Sequence, residues 1–76
     1  MWREDKVTYE ILEHLGEVSE KGKMKLEVNI VSWNDNPPKV DIRPWNEDHT
    51  EMRKGITLTE EEAKRVYLLL KGRYEK

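Results

Sequence analysis

Between Met24 and Trp45 the chain alternates apolar and polar side chains around a cluster of turn formers, and this pattern restricts the fold more than any other feature. Met24, Leu26, Val28 and Ile30 share one parity, while Lys25, Glu27, Asn29, Val31 and Trp33 share the other. A period of two marks a strand with one face buried. Asn34-Asp35-Asn36-Pro37-Pro38 interrupts it with residues that favour turns. Val40 and Ile42 then take one parity, and Asp41, Arg43 and Trp45 the other, so the two runs read as a β-hairpin. Pro44 cannot donate to a ladder, which puts it at an edge, a bulge or a bend.

The flanking segments extend this plan. Residues 46–53 are polar and read as a loop, and Gly55-Ile56-Thr57-Leu58 as a short strand with Ile56 and Leu58 inward. Thr59-Glu60-Glu61-Glu62 is a capping box, with three acids at the positive end of a helix dipole. Val66, Tyr67, Leu70 and Tyr74 follow at helical spacing, and Leu68 and Leu69 widen the stripe. Residues 7–20 fit either pattern: Val7, Ile11, Leu15 and Val18 suit a helix, whereas Val7, Tyr9 and Ile11 suit a strand. Their β-branched and aromatic content favours a strand with a bulge near Ile11-Leu12, closed by a turn at Glu20-Lys21-Gly22-Lys23. The expectation is an α+β fold, a small four-stranded antiparallel sheet followed by one C-terminal helix, in the order β-β-β-β-α. Leu26, Val28, Ile30, Val40, Ile42, Ile56 and Leu58 would face a core under the helix.

Seventy-six residues make one domain (1–76, core about 7–74). A domain this small buries only about 60% of its unfolded surface, which favours association with a second copy. The chain has no cysteine, hence no disulfide, thiolate zinc site or cysteine nucleophile, and it suits a reducing compartment such as the cytoplasm. No apolar run approaches a membrane span, and the first residues do not read as a signal peptide. His14 and His49 lack zinc-ligand spacing, and loop polarity or capping is a plainer reading of Asp48, His49 and Glu51 than a metal cluster. Ser19 and Ser32 lie in no nucleophile motif, and the four glycines form no phosphate-cradling loop. We therefore expect no enzyme, no metal and no cofactor. The net charge of −2 speaks at first against a nucleic-acid partner. The charge is uneven, however: residues 1–20 carry −4, whereas residues 21–45 carry +2. Screening limits each patch to roughly 8–10 Å, so placement on the fold decides the question.

The parity that faces away from the expected core holds Lys25, Trp33, Arg43 and Trp45, with Arg53 and Lys54 leading into the last strand to flank the same surface. Exposed tryptophans mark interaction surfaces. Aromatic rings for stacking and cations along the backbone are what single-stranded nucleic acid requires. Two other readings stay open. Trp33 and Trp45 could form a cross-strand pair or cover a dimer interface, or they could dock a partner peptide. Arg43 beside Asp41 could be an exposed ion pair of little worth. On the first reading Trp33 and Trp45 stack on bases, and Lys25, Arg43, Arg53 and Lys54 (with Lys23 and Lys39 less central) meet phosphates. The strand expected is single-stranded nucleic acid, DNA or RNA, with G-rich structured strands as a variant.

Asp41-Ile42-Arg43, the aromatic Trp45, and Arg53-Lys54-Gly55-Ile56-Thr57-Leu58 before an acidic capped helix resemble the transcriptional positive-cofactor family of single-stranded-DNA-binding coactivators. With Val31-Ser32-Trp33-Asn34-Asp35 and Asp48-His49 added, the string is similar to its bacterial YdbC-type branch over roughly residues 7–74. The resemblance implies a homodimer of β-β-β-β-α subunits with paired helices and curved sheets that form a groove for DNA. It implies DNA-facing roles for Arg43, Trp45 and Lys54, and it makes residues 7–20 a strand. Trp33 matches the bacterial branch better than the eukaryotic one. The Ser- and Lys-rich tail of the eukaryotic coactivators and their lysine density on the sheet are absent, and Pro44 separates Arg43 from Trp45. The Val66, Tyr67, Leu70 and Tyr74 stripe would serve the core and the dimer contact together.

Overall fold

The computed structural model describes residues 7–75; Trp2, to which the sequence assigns no role, lies outside them. The order is β1 (Tyr9–Lys21), β2 (Met24–Trp33), β3 (Lys39–Trp45), β4 (Ile56–Leu58) and α1 (Glu60–Tyr74), an α+β fold as the alternation requires. The sheet is antiparallel in the order β1-β2-β3-β4. Residues 7–20 form a strand, and its register slips between Ile11 and Glu13, near the expected bulge, and again between His14 and Gly16 and between Glu17 and Ser19. Each bulge adds local twist and bend.

The turns follow from residue type. Lys21 pairs with Met24 across Gly22-Lys23, and Gly22 has φ 63 at the first central position, where a type II′ hairpin turn reserves glycine. Asn34 and Asp35 have φ 52 and 63, conformations that short amide and carboxyl side chains tolerate, and the Asn36 N–H donates to the Trp33 carbonyl at 2.9 Å to close a tight turn. The Thr59 hydroxyl accepts from the Glu62 N–H at 3.1 Å while Glu62 accepts from the Thr59 N–H at 2.9 Å, which completes the capping box.

Curvature exchanges the roles of the two faces. Trp33 ends β2, and Trp45 of β3 pairs with Lys25 near its start, so on straight strands the two rings would stand about 26 Å apart. Their ring centroids are nevertheless 6.4 Å apart. The sheet curls, and the parity of Glu27, Asn29, Val31, Asp41 and Trp45 becomes the inside of the curl, where those residues are buried. This corrects the core expected from alternation. Leu26, Val28, Ile30, Val40, Ile42 and Leu58 are only half-buried on the convex side, and Ile56 is exposed. The physical reason is the helix, which contacts the sheet only at β3 and β4 and leaves the convex side of β1 and β2 uncovered. No residue of α1 is buried, so the Val66, Tyr67, Leu70 and Tyr74 stripe adds little to the protomer's own core. No helix among the described residues is long and apolar enough to cross a membrane.

Gly55 fixes the approach of β4 to β3. A Cβ there would collide with the Cβ of Arg43 and the carbonyl oxygen of Ile42, and would stand 2.8 Å from the Arg43 Cα. Backbone atoms cannot swing aside as a long side chain can. Gly55→Ala is expected to cost about 1–3 kcal/mol, the range for overpacking, read as a lower urea midpoint at unchanged slope.

Candidate nucleic-acid interface

Two carboxylates lie inside the curl, and each collects the partners that burial demands. Asp41, from the centre of β3, is fully buried and accepts a bidentate pair from Arg43, with Nε to Oδ2 at 2.7 Å and Nη2 to Oδ1 at 2.9 Å. Thr57, opposite Asp41 on β4, donates its hydroxyl to Oδ1 at 2.8 Å and accepts from Arg43 Nη2 at 3.3 Å. The Asp41–Arg43 pair is thus a buried fork rather than an exposed surface pair.

Glu27, 3% exposed on β2, accepts from Asn29 Nδ2 at 3.1 Å and meets His49 Nε2 at 2.8 Å. The Asn29 amide oxygen in turn bonds His14 Nδ1 of β1 at 2.7 Å. Burial pushes the Glu27 carboxyl up, but the hydrogen bonds from Asn29 and His49 and the electrostatic pull of the two imidazoles outweigh it and hold it below the ordinary value. Asp48, exposed in the loop, is lowered chiefly by the hydrogen bond from the Thr50 hydroxyl.

The loop after β3 holds His49 in place. The Asn46 amide oxygen accepts from the N–H groups of Thr50 and Glu51, both at 2.9 Å, and the loop turns at His49 with φ 59. The Tyr9 hydroxyl donates to the His49 carbonyl. His49 then stands edge-on to Trp45 at 5.4 Å, and Tyr9 packs within 5.2 Å of Trp45 and 5.7 Å of Trp33. Sequence reading left Tyr9, His14, Glu27, Asn29, His49 and Thr57 out of the site. Parity alone could have placed Glu27, Asn29 and Thr57 beside Arg43, but nothing in the sequence links His49 to a strand more than 20 residues away.

The structure sorts the expected cations and aromatics. Arg43 lies on the concave face with its Cζ 4.6 Å from the Trp33 ring centroid. Trp33 is half-buried. Trp45 shares this face but is 0% exposed, which corrects the expectation of a ring open to solvent: the curl and the His49 loop cover it. Neither indole N–H has a partner. Lys25 faces inward opposite Trp45, but its Nζ lies 3.7 Å from Glu17 and 4.0 Å from Glu47, so its charge is shared with two acids. Lys39 is exposed opposite Val31, and Lys54 is exposed one residue before the Gly55 contact with Arg43. Lys23 is exposed in the first turn. Arg53 departs from expectation, because it borders a groove of about 430 Å³ with Lys21, Met24, Leu26 and Pro44, on the convex side.

Comparison with known proteins bears on this site. The family model described as Transcriptional Coactivator p15 (PC4) matches residues 19–67, from the end of β1 into α1. An uncharacterized protein of Treponema pallidum (strain Nichols) is 42% identical over 59 residues, which cover 76% of this chain and 69% of the relative.

Because the folded Glu27 carboxyl titrates below its unfolded value, its contribution is fully present above about pH 4.3, the ordinary glutamate value, and is lost as pH falls through the folded value. Glu27→Gln is expected to lower stability by about 1–3 kcal/mol at pH 7 and to flatten the acid limb of a pH series of urea midpoints.

Proposed function

Because the chain belongs to the Transcriptional Coactivator p15 (PC4) family, we propose that it binds single-stranded DNA with little sequence preference, in transcription or another step of DNA metabolism at the cytoplasmic nucleoid. The observation that carries this reading is the juxtaposition on the concave face of the half-buried Trp33 with the Arg43 guanidinium 4.6 Å over its ring. A ring and a planar cation at the rim of a curled sheet offer stacking surface to bases, worth roughly 1–3 kcal/mol for each base stacked. Exposed Lys39 and Lys54 supply phosphate contacts beside them, with Lys25 and Arg53 contributing less because of the acids around one and the convex position of the other. Trp45 supports Trp33 from below instead of meeting bases in the closed curl. No metal, cofactor or catalysis enters the reading.

The working unit on this proposal is a homodimer. Six large apolar side chains of α1 are exposed: Val66, Tyr67, Leu68, Leu69, Leu70 and, at 73%, Tyr74. A monomer rarely leaves such a patch open, and the half-covered convex face lies on the same protomer to receive it. Tyr67→Glu is expected to shift the protein from dimer to monomer in light scattering at micromolar concentration.

Titrating oligothymidine into the protein while following tryptophan emission tests the binding reading. We expect quenching and an affinity that falls as salt rises. Absence of both defeats single-strand binding and favours a protein-docking role for the exposed surfaces. Equal affinity for oligouridine would widen the ligand to RNA.

A further inference from the structure

Arg43 is the cation that stands at the centre of the proposed surface, yet its charge is already matched. Asp41 accepts both arms of its fork and is fully buried. Thr57 closes the triangle by bonding both of them. This fork fixes the guanidinium of a side chain that is 16% exposed, beside the ring of Trp33. Nη1 keeps only a weak partner, the Met52 sulfur at 3.9 Å. A phosphate approaching Arg43 would meet the Asp41 carboxylate within a few ångströms and gain little net attraction. A base would meet a flat, already desolvated plate with N–H donors left at one edge.

We infer that Arg43 meets the single strand as a planar stacking and hydrogen-bonding plate instead of a phosphate counter-charge, with Asp41 and Thr57 as the positioning residues that hold it there. The inference rests on the single-strand reading given above. It assigns the salt-dependent part of binding to Lys39 and Lys54, and the salt-independent part to Arg43 and Trp33.

Two measurements on the full chain separate the inference from the reading on which it rests. In the free protein, the Arg43 Nε–H resonance should be sharp and slow to exchange, and should broaden in Asp41→Asn and in Thr57→Val; equal broadening in the unaltered protein overturns the clamp. With oligothymidine, Arg43→Lys keeps the charge for Asp41 but removes the plane, and should weaken binding tenfold or more with the slope of log affinity against log salt unchanged. Lys54→Ala should lower that slope by about 0.7, the value for one phosphate contact on a single strand. Affinity preserved in Arg43→Lys, or a slope in Arg43→Gln reduced as in Lys54→Ala, overturns the plate. A clamp intact in the free protein with no oligothymidine binding defeats the single-strand reading, and the plate with it.

Discussion

Two carboxylates buried inside a curled sheet hold this protomer together. An isolated buried charge costs several kcal/mol, so Asp41 and Glu27 are tolerable only with their partners in place. Those partners come from every strand and from the long loop: His14 on β1, Asn29 on β2, Arg43 on β3, Thr57 on β4 and His49 beyond them. Most of these groups meet through the register itself, directly opposite one another or two residues apart on one strand, and only His49 is brought in by the loop. The bulges of β1 supply the bend, and the His49 loop closes over Glu27 and Trp45 on its inner side. The same network sets the tryptophans, since His49 reaches Glu27 only by crossing the edge of Trp45.

This arrangement reverses the usual division between a wet and a dry face. The polar parity is enclosed, and the apolar parity is half-open. A chain of 76 residues has too little apolar area to dispense with its leucines and isoleucines. The helix, reaching only β3 and β4, leaves its own apolar residues exposed alongside an uncovered sheet. Two incomplete apolar surfaces on one protomer give the proposed dimer its driving force, at roughly 25 cal/mol for each Å² removed from water. They also separate the tasks: association would use the convex side and the helix, while the concave rim stays available.

Much of this was legible in the sequence, because alternation, turn chemistry and capping are local. The strand from Met24 to Trp33, the turn at Asn34-Asp35, the capping box at Thr59–Glu62 and the shared parity of Lys25, Trp33, Arg43 and Trp45 all follow from neighbours within a few residues. What period-two alternation cannot say is which face a curl will enclose. That depends on where the helix lands and on bonds such as Tyr9 to His49, formed 40 residues apart. Trp45 illustrates the limit: its face follows from parity, but its burial comes from a loop with no periodic signature. Arg53 illustrates it too, because a residue between strands has no parity to inherit.

The enclosed network also changes how the charge of −2 should be weighed. A net count treats every lysine and arginine as equal, yet Arg43 is matched by Asp41, and Lys25 lies between Glu17 and Glu47. Two of the five cations in residues 21–45 are therefore already matched by acids. Counterion release scales with the number of phosphates neutralised, so a surface with few uncompensated cations has a shallow salt dependence and must draw its affinity from stacking. A charge-matched guanidinium held 4.6 Å from an indole centroid fits that regime, since its attraction for a base survives at ionic strengths that screen an exposed lysine. On the proposed reading, two of the sixteen acids, Asp41 and Glu27, are turned inward and set the geometry of the few groups offered to the strand.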